Sequence, residues 1–261
     1  MFVKWSELSA TAVAALDMTK LVAVLPVAAV EQHGPHLPLG TDTFIAEGYL
    51  ARIAPLVPER LSVAVLPVQS IGKSDEHQNF AGTLTLSPTT AITAWGEIGT
   101  CLARAGVRRL VIMNTHGGNV PVIDLVARTL RLDHGMLVAM SSMHRYGYPP
   151  GLFSDAERAH GIHGGEVETS LMLAFRPDLV DMAQAANFAP YSIAMEHDFK
   201  RLRANHPVGF AWASEDLSAA GAMGDARGAT AEKGEAAAQF GARAFVELLE
   251  DLAAFDLDRL G

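Results

Sequence analysis

The 261-residue chain has a single cysteine, fewer Lys and Arg (20) than Asp and Glu (29), and no apolar run long enough to cross a bilayer. Each shortage excludes something. With Cys101 alone no internal disulfide can form, which fits a reducing cytosol, and its apolar, helix-like surroundings predict a buried core thiol. A net charge of −9 leaves no basic patch for nucleic acid or an anionic membrane, so the expected partner is a small molecule. The longest apolar runs are broken by Pro26, Pro67 or Asn114, and Met1 to Asp17 lacks the basic and apolar regions of a signal peptide. A cytoplasmic location is expected. No strand-end loop has the Gly-Lys-Thr/Ser ending of a P-loop or a G-x-G-x-x-G pattern, and no Gly-x-Ser-x-Gly elbow supports a serine triad from Ser74, His77 and an aspartate.

The remaining composition, 49% hydrophobic and 19% charged, is that of a chain with a real core. Ser6 to Ala15 reads as a short capped helix and Leu21 to Val27 as a first strand, apolar throughout and therefore buried on both faces. Thr41 or Asp42 introduces a helical pattern over Phe44 to Leu56, stopped by Pro58, and Leu61 to Val68 repeats the strand pattern. After a polar loop from Gln69 to Gly82, Ser87-Pro88 opens a helix to about Ala105, since Pro is tolerated at the first helical position. Arg109 to Met113 and Leu137 to Ser142 are two more strands, separated by an amphipathic helix over Val120 to Leu132. Met143 to Gly161 turns irregular, and could be a lid or a subunit contact. A helix follows over Gly164 to Ala174, then a loop-rich stretch from Asn187 to Gly228 and a last amphipathic helix over Ala229 to Phe255, capped by Thr230. This alternation predicts one domain over residues 1–261: an α/β fold, a three-layer α-β-α sandwich around a mostly parallel sheet.

In such sheets ligands bind beyond the carboxyl ends of the strands, and that is where the polar motifs fall. The densest is Glu31-Gln-His-Gly-Pro-His-Leu-Pro-Leu-Gly-Thr-Asp42, in which Glu31, His33, His36 and Asp42 can each ligate a metal. Carboxylate and imidazole together suit zinc, manganese or iron, and a carboxylate can bridge two ions. Asn114-Thr-His-Gly-Gly-Asn119 follows the third strand. Its glycines either let the backbone approach an ion or form a tight strand-to-helix turn. His134, His144, His160, His197 and His206 sit in polar or irregular stretches and read as solvated, with His144 at a strand end the one to watch.

Together with Gly72-Lys-Ser-Asp-Glu-His77 and His163-Gly-Gly-Glu-Val-Glu-Thr-Ser170, these motifs resemble the creatininase family of metal-dependent amidohydrolases, in order, from about Val22 to Pro177. The resemblance implies that Glu31, His33, Asp42 and His116 hold two divalent ions, with Asp42 as the bridge. The implied reaction is cleavage of a C–N amide bond in a small cyclic amide or formamide by a hydroxide shared between the ions. At the places matching Gly117 and Gly118, creatininases proper carry a tyrosine and a metal-binding glutamate, so Glu168 is the carboxylate left to complete the second ion's shell. No Trp lies between Trp95 and Trp212, so the aromatic lid of true creatininases is missing and creatinine itself is a weaker expectation. His163 matches the family's active-site histidine and is assigned general acid, with Glu168 also counted in the catalytic set. Ser74 matches a substrate-contacting serine, and His36 either touches substrate or orients a ligand. Glu76 and His77 could act in catalysis or pin the loop. A homo-oligomer is implied, since family members are commonly hexamers built as trimers of dimers. The same ligands would serve a peptidase of the mycofactocin-maturation branch or a relative acting on a formamide of a pyrimidine intermediate. A non-catalytic metal- or ligand-binding protein is the remaining reading.

Overall fold

The computed structural model describes residues 1–260. Its centre is a five-stranded sheet in the order β1-β3-β2-β4-β5: β1 is Phe2–Lys4, β2 Leu21–Val27, β3 Ser62–Val65, β4 Arg109–Asn114 and β5 Leu137–Ser142. Every pairing in it is parallel. The strand read as first is therefore second. β1 is only three residues long and part-exposed, too short for an alternation pattern, and is recruited by register, Phe2 opposite Val63, while the N-terminal amine donates to the Leu61 carbonyl. Toward the other end β3 stops at Val65, two residues before Pro67, which has no N–H to give a ladder.

The apolar run of β2 is divided between two cores by its pleat. Leu21, Ala23, Leu25 and Val27 pack with α3 (Pro88–Arg104) and α4 (Val120–His134); Val22 and Val24 pack with α2 (Thr41–Ile53), α6 (Glu166–Phe175) and α9 (Ala231–Ala254). Helices thus cover both faces, and each fully buried Leu or Val contributes roughly 1.5–3 kcal/mol. Helix starts follow the capping residues: Ser9 accepts from the Ala12 amide ahead of α1 (Ala10–Ala14), Ser87 caps α3 and Thr230 caps α9. Cys101 is exposed, contrary to expectation, because the buried stripe of α3 runs through Ala91, Trp95, Gly99 and Leu102 and passes it by.

Beyond β5, the stretch read as irregular contains α5 (Asp155–His160) and leads into α6. A two-stranded antiparallel ribbon, β6 (Asn187–Phe188) with β7 (Gly224–Asp225), and the short helices α7 (Tyr191–Asp198) and α8 (Ser214–Leu217) occupy the loop-rich region. Two-residue strands carry no period to read. α6 lies hard against α9: a Cβ on Gly234 would stand 1.9 Å from the Ser170 carbonyl oxygen, so only glycine permits this approach. Among the described residues no helix is long and apolar enough to cross a membrane.

Topology places the site. From β2 the chain leaves into α2 on one face and from β4 into α4 on the other, so a crevice opens between the carboxyl ends of these neighbouring strands.

Candidate metal centre

The loop after β2 enters that crevice with Glu31 and His33 turned to one cluster and the Gln32 side chain turned to His77, Ser214 and Gly221. Asp42 follows in the first turn of α2, held by the Thr115 hydroxyl, which donates to its carbonyl at 2.9 Å. From β4, Asn114 brackets His116: its amide donates to the His116 carbonyl at 2.7 Å and its carbonyl accepts the His116 N–H at 3.2 Å. Asn119 donates to the Ala28 carbonyl at 3.0 Å and accepts the Lys73 N–H at 2.9 Å, joining the loops that follow β2, β3 and β4.

Glu31, His33, Asp42 and His116 are all at most 4% exposed. Asp42 turns one oxygen to each histidine, Oδ1 to His33 Nε2 at 3.4 Å and Oδ2 to His116 Nδ1 at 3.3 Å. Three groups of ligand atoms result: Glu31-Asp42-His116 and His33-Asp42-Glu168, with Asp42 in both, and Glu31-His33-His163 between them. Glu168 Oε2 lies 3.8 Å from His33 Nε2 and accepts the Gly164 N–H at 2.6 Å. Three buried atoms at this point, Glu31 Oε1, His33 Nε2 and Asp42 Oδ2, make no hydrogen bond. Leaving them so costs several kcal/mol unless a cation takes them up, and carboxylate with imidazole is a donor set for divalent zinc, manganese or iron. The residues present fit divalent metal.

Each of these two histidines is oriented by a carbonyl. His33 Nδ1–H donates to Glu31 O at 3.0 Å and His116 Nε2–H to Lys73 O at 2.9 Å, leaving the opposite nitrogen of each ring toward the carboxylates. Burial disfavours charge on these rings, but for His33 the carboxylates of Asp42, Glu168 and Glu31 outweigh it and raise the ring to about 9. His116 is likewise raised, burial being outweighed by Glu31, Asp42 and Glu76. Asp42, pushed up by burial, is brought below the carboxylate range by His33 and His116. Glu168 is raised to about 7 by burial, with Asp42 and Glu31 adding to it. His163 is buried; burial and the charge of His33 hold it well below 6.5.

Three rings lie in a row. His163 lies 4.1 Å from His33 and 4.2 Å from His77 between ring centroids, and its Nδ1 is 3.6 Å from Glu31 Oε1. A cleft of about 1,420 Å³ opens above, and Glu31, Asp42, His77, His116, His163 and Glu168 reach it. His36 and Ser74 are not among its lining residues. His36 is bonded to Thr169 Oγ1 at 2.9 Å and stacked on Phe188, and the buried Ser74 hydroxyl donates to Glu31 Oε2. The histidines read as solvated divide: His144, His160 and His206 line the cleft, His160 bonded to Ser192 Oγ at 3.0 Å, whereas His134 meets Thr100 at 3.0 Å away from it. Tyr146, Tyr148, Phe210 and Trp212 also line the cleft, so its wall has aromatics although no Trp lies between Trp95 and Trp212.

Glu76 answers the missing carboxylate at position 118. A Cβ there would stand 2.1 Å from Glu76 Oε1 and 2.4 Å from His116 Nε2, so glycine vacates the space that Glu76 enters. From there Glu76 lies 3.4 Å from His116 Nε2, on the side of the ring away from Asp42, and is paired with Lys73 at 2.8 Å. It backs His116 and is in none of the groups that could hold an ion. The sequence leaves Glu76 between catalysis and pinning the loop, and it does not single out Gln32, which stands between two ligand candidates and turns away from them.

The family model described as creatinine amidohydrolase matches residues 6–249. The chain belongs to the creatininase family. A creatinine amidohydrolase from Pseudomonas putida is 36% identical over 215 residues, covering 72% of this chain and 78% of its own. A mycofactocin precursor peptide peptidase from Mycobacterium ulcerans (strain Agy99) is 30% identical over 255 residues, 94% of this chain and 88% of its own. The solved structure of a creatinine amidohydrolase (creatininase) superposes with a TM-score of 0.77 at 29% identity, covering 97% of this chain and 98% of that one. Solved creatininases described with manganese and as a Zn-Zn type give TM-scores of 0.74 and 0.75. This creatininase-family hydrolase therefore carries its buried His, Asp and Glu groups on the fold its relatives share.

Proposed function

We propose that this chain is an amidohydrolase that uses two divalent ions, zinc, manganese or iron, to cleave the C–N bond of a small cyclic amide or formamide. The observation that carries the reading is Asp42, whose two oxygens face two different histidine-carboxylate groups. Glu31, Asp42 and His116 would hold one ion; His33, Asp42 and Glu168 the other. When bound, such a pair lowers the pKa of water toward neutrality and polarises an amide carbonyl.

The chain's own residues do the rest. Ser74 fixes Glu31 and Glu76 fixes His116, so the ligands are set before substrate arrives. His163 donates Nε2–H to the Gln32 carbonyl, which leaves a lone pair on Nδ1 facing the centre. Being neutral at pH 7, the ring receives the proton of the attacking water at Nδ1 and delivers it to the departing amine, the general-acid step. His36, behind the loop, holds it to α6 through Thr169.

One observation favours a second reading, a peptidase of the mycofactocin-maturation type. At about 1,420 Å³ the cleft exceeds the roughly 300–1,000 Å³ usual for small-molecule pockets. Metal-loaded protein assayed on cyclic amides, formamides and short peptides separates the two. Amide or formamide turnover, abolished in Glu31→Gln, is the expected result; turnover of peptides alone establishes the second reading, and activity undiminished in Glu31→Gln refutes both.

A further inference from the structure

Gln32 is sandwiched in sequence between two candidate ligands, yet its side chain turns away from them and is 6% exposed. Its amide orientation is fixed by its neighbours. Oε1 accepts the Gly34 N–H at 2.9 Å, while Nε2 faces the Gly221 carbonyl at 3.1 Å and Ser214 Oγ at 3.3 Å. A carbonyl can only accept, so Nε2 must be the donor. The same Nε2 lies 2.7 Å from His77 Nδ1. That nitrogen is therefore the acceptor, and in a neutral imidazole the proton is on Nε2.

His77 Nε2 looks into the centre. It lies 3.7 Å from Glu31 Oε1, the atom that is also 3.6 Å from His163 Nδ1 and 3.1 Å from His116 Nδ1. A separation of 3.7 Å is too long for a hydrogen bond, so the N–H remains available to a third group. His77 lines the cleft, stacked on His163. The two rings present opposite functions to one place: a lone pair from His163, a proton donor from His77. One residue sets both, through the Gln32 carbonyl for His163 and the Gln32 amide for His77. The adjoining loop is shaped around that amide. A Cβ on Gly221 would stand 2.1 Å from Gln32 Oε1, and Ser214 Oγ donates to the Gly221 carbonyl at 2.9 Å.

We propose that His77 is a further catalytic residue of this centre, a neutral imidazole whose Nε2–H donates a hydrogen bond to the carbonyl oxygen of the scissile amide, with Gln32 the positioning residue that holds it in that tautomer. The assignment rests on the hydrolase reading. As negative charge develops on that oxygen during water addition, the donor is already aimed and needs no reorganisation. No proton leaves His77; its bond strengthens and then relaxes as the C–N bond breaks.

Long-range 1H–15N correlation spectra of the metal-free protein read the tautomer with no substrate present. Wild type is expected to show His77 protonated at Nε2 and bare at Nδ1, and Gln32→Leu to lose that preference while His163, bonded to the main chain, keeps its own. In metal-loaded protein, His77→Leu is expected to lower kcat by roughly 10²-fold or more with metal content and KM near wild type. His77→Gln, which retains an N–H donor, should recover at least about tenfold of that loss. His77 protonated at Nδ1 in wild type overturns the proposal, as does wild-type kcat in His77→Leu or loss of metal in that variant. A wild type inert toward every amide would sink the hydrolase reading; the spectra would still decide the tautomer.

Discussion

The floor and the walls of the cleft are built on opposite terms. On the floor, Glu31, His33, Asp42 and His116 project from the ends of β2 and β4 and from the first turn of α2, are almost wholly buried, and are each held by a second bond or charge. The walls come from residues 143–161 and 203–213, where short helices and turns carry Arg145, His206 and Trp212 at the cleft's rim. Rigid elements fix the atoms that must meet within a few tenths of an ångström, and loops carry what can vary between relatives acting on different substrates. On this view the floor decides whether a C–N bond is broken and the walls decide which one.

Asp42→Asn strikes the floor where the two ligand groups join. It is expected to cost at least about 10³-fold in kcat/KM and to release metal, because one neutral amide cannot bridge two cations. Elemental analysis and steady-state kinetics check it together; a variant retaining both metal and rate would break the contrast at its firmest point. Glu76→Gln acts one step further out, through His116. Metal affinity should fall by about 10–100-fold with the fold intact, measured by competition against a chelator of known affinity.

How far the two regions were legible in the sequence follows the same division. Leu21–Val27 is readable to the residue because a strand buried on both faces of a parallel sheet is apolar throughout, Leu137–Ser142, a part-exposed edge strand, because Gly135 closes the helix before it, and Ser87-Pro88 marks the start of α3. Glu31, His33, Asp42 and His116 lie together because topology brings the ends of β2 and β4 side by side. Other features depend on contacts between residues far apart in sequence. The pairing of β1 with β3, the Gln32 amide on His77 and the entry of Glu76 beside Gly118 are three. The walls left no period at all, and the exposed Cys101 shows that an apolar neighbourhood does not say which side of a helix a residue takes.

The acidity of the floor gives a sharper probe that needs no substrate. In metal-free protein, burial disfavours a charged His33, but Asp42, Glu168 and Glu31 outweigh it and raise the ring from 6.5 to about 9. A raised histidine contributes stability that is full below pH 6.5 and is lost as pH rises through about 9, and His116 is shifted in the same direction. Glu168, raised from 4.5 to about 7 chiefly by burial, favours its protonated form, so its contribution is likewise lost as pH rises through about 7. Thermal melts of metal-free protein should therefore fall by several degrees between pH 6.5 and 9, and metal-loaded protein should lose most of that slope. A flat profile without metal would mean that these groups are not coupled as the geometry has them.

The smallest effect is expected at the walls. Arg145→Ala and Trp212→Phe should change KM or the preference among substrates by a few fold while leaving metal content as in wild type. Loss of metal in either variant would erase the distinction between floor and wall.

A pair of ions sharing Asp42 is counted directly as metal content per chain after loading with manganese or zinc and removal of excess by gel filtration. Two ions per wild-type chain are expected and one in Glu168→Gln, because that substitution touches only the His33-Asp42-Glu168 group. A single ion in wild type, or two in Glu168→Gln, would contradict it.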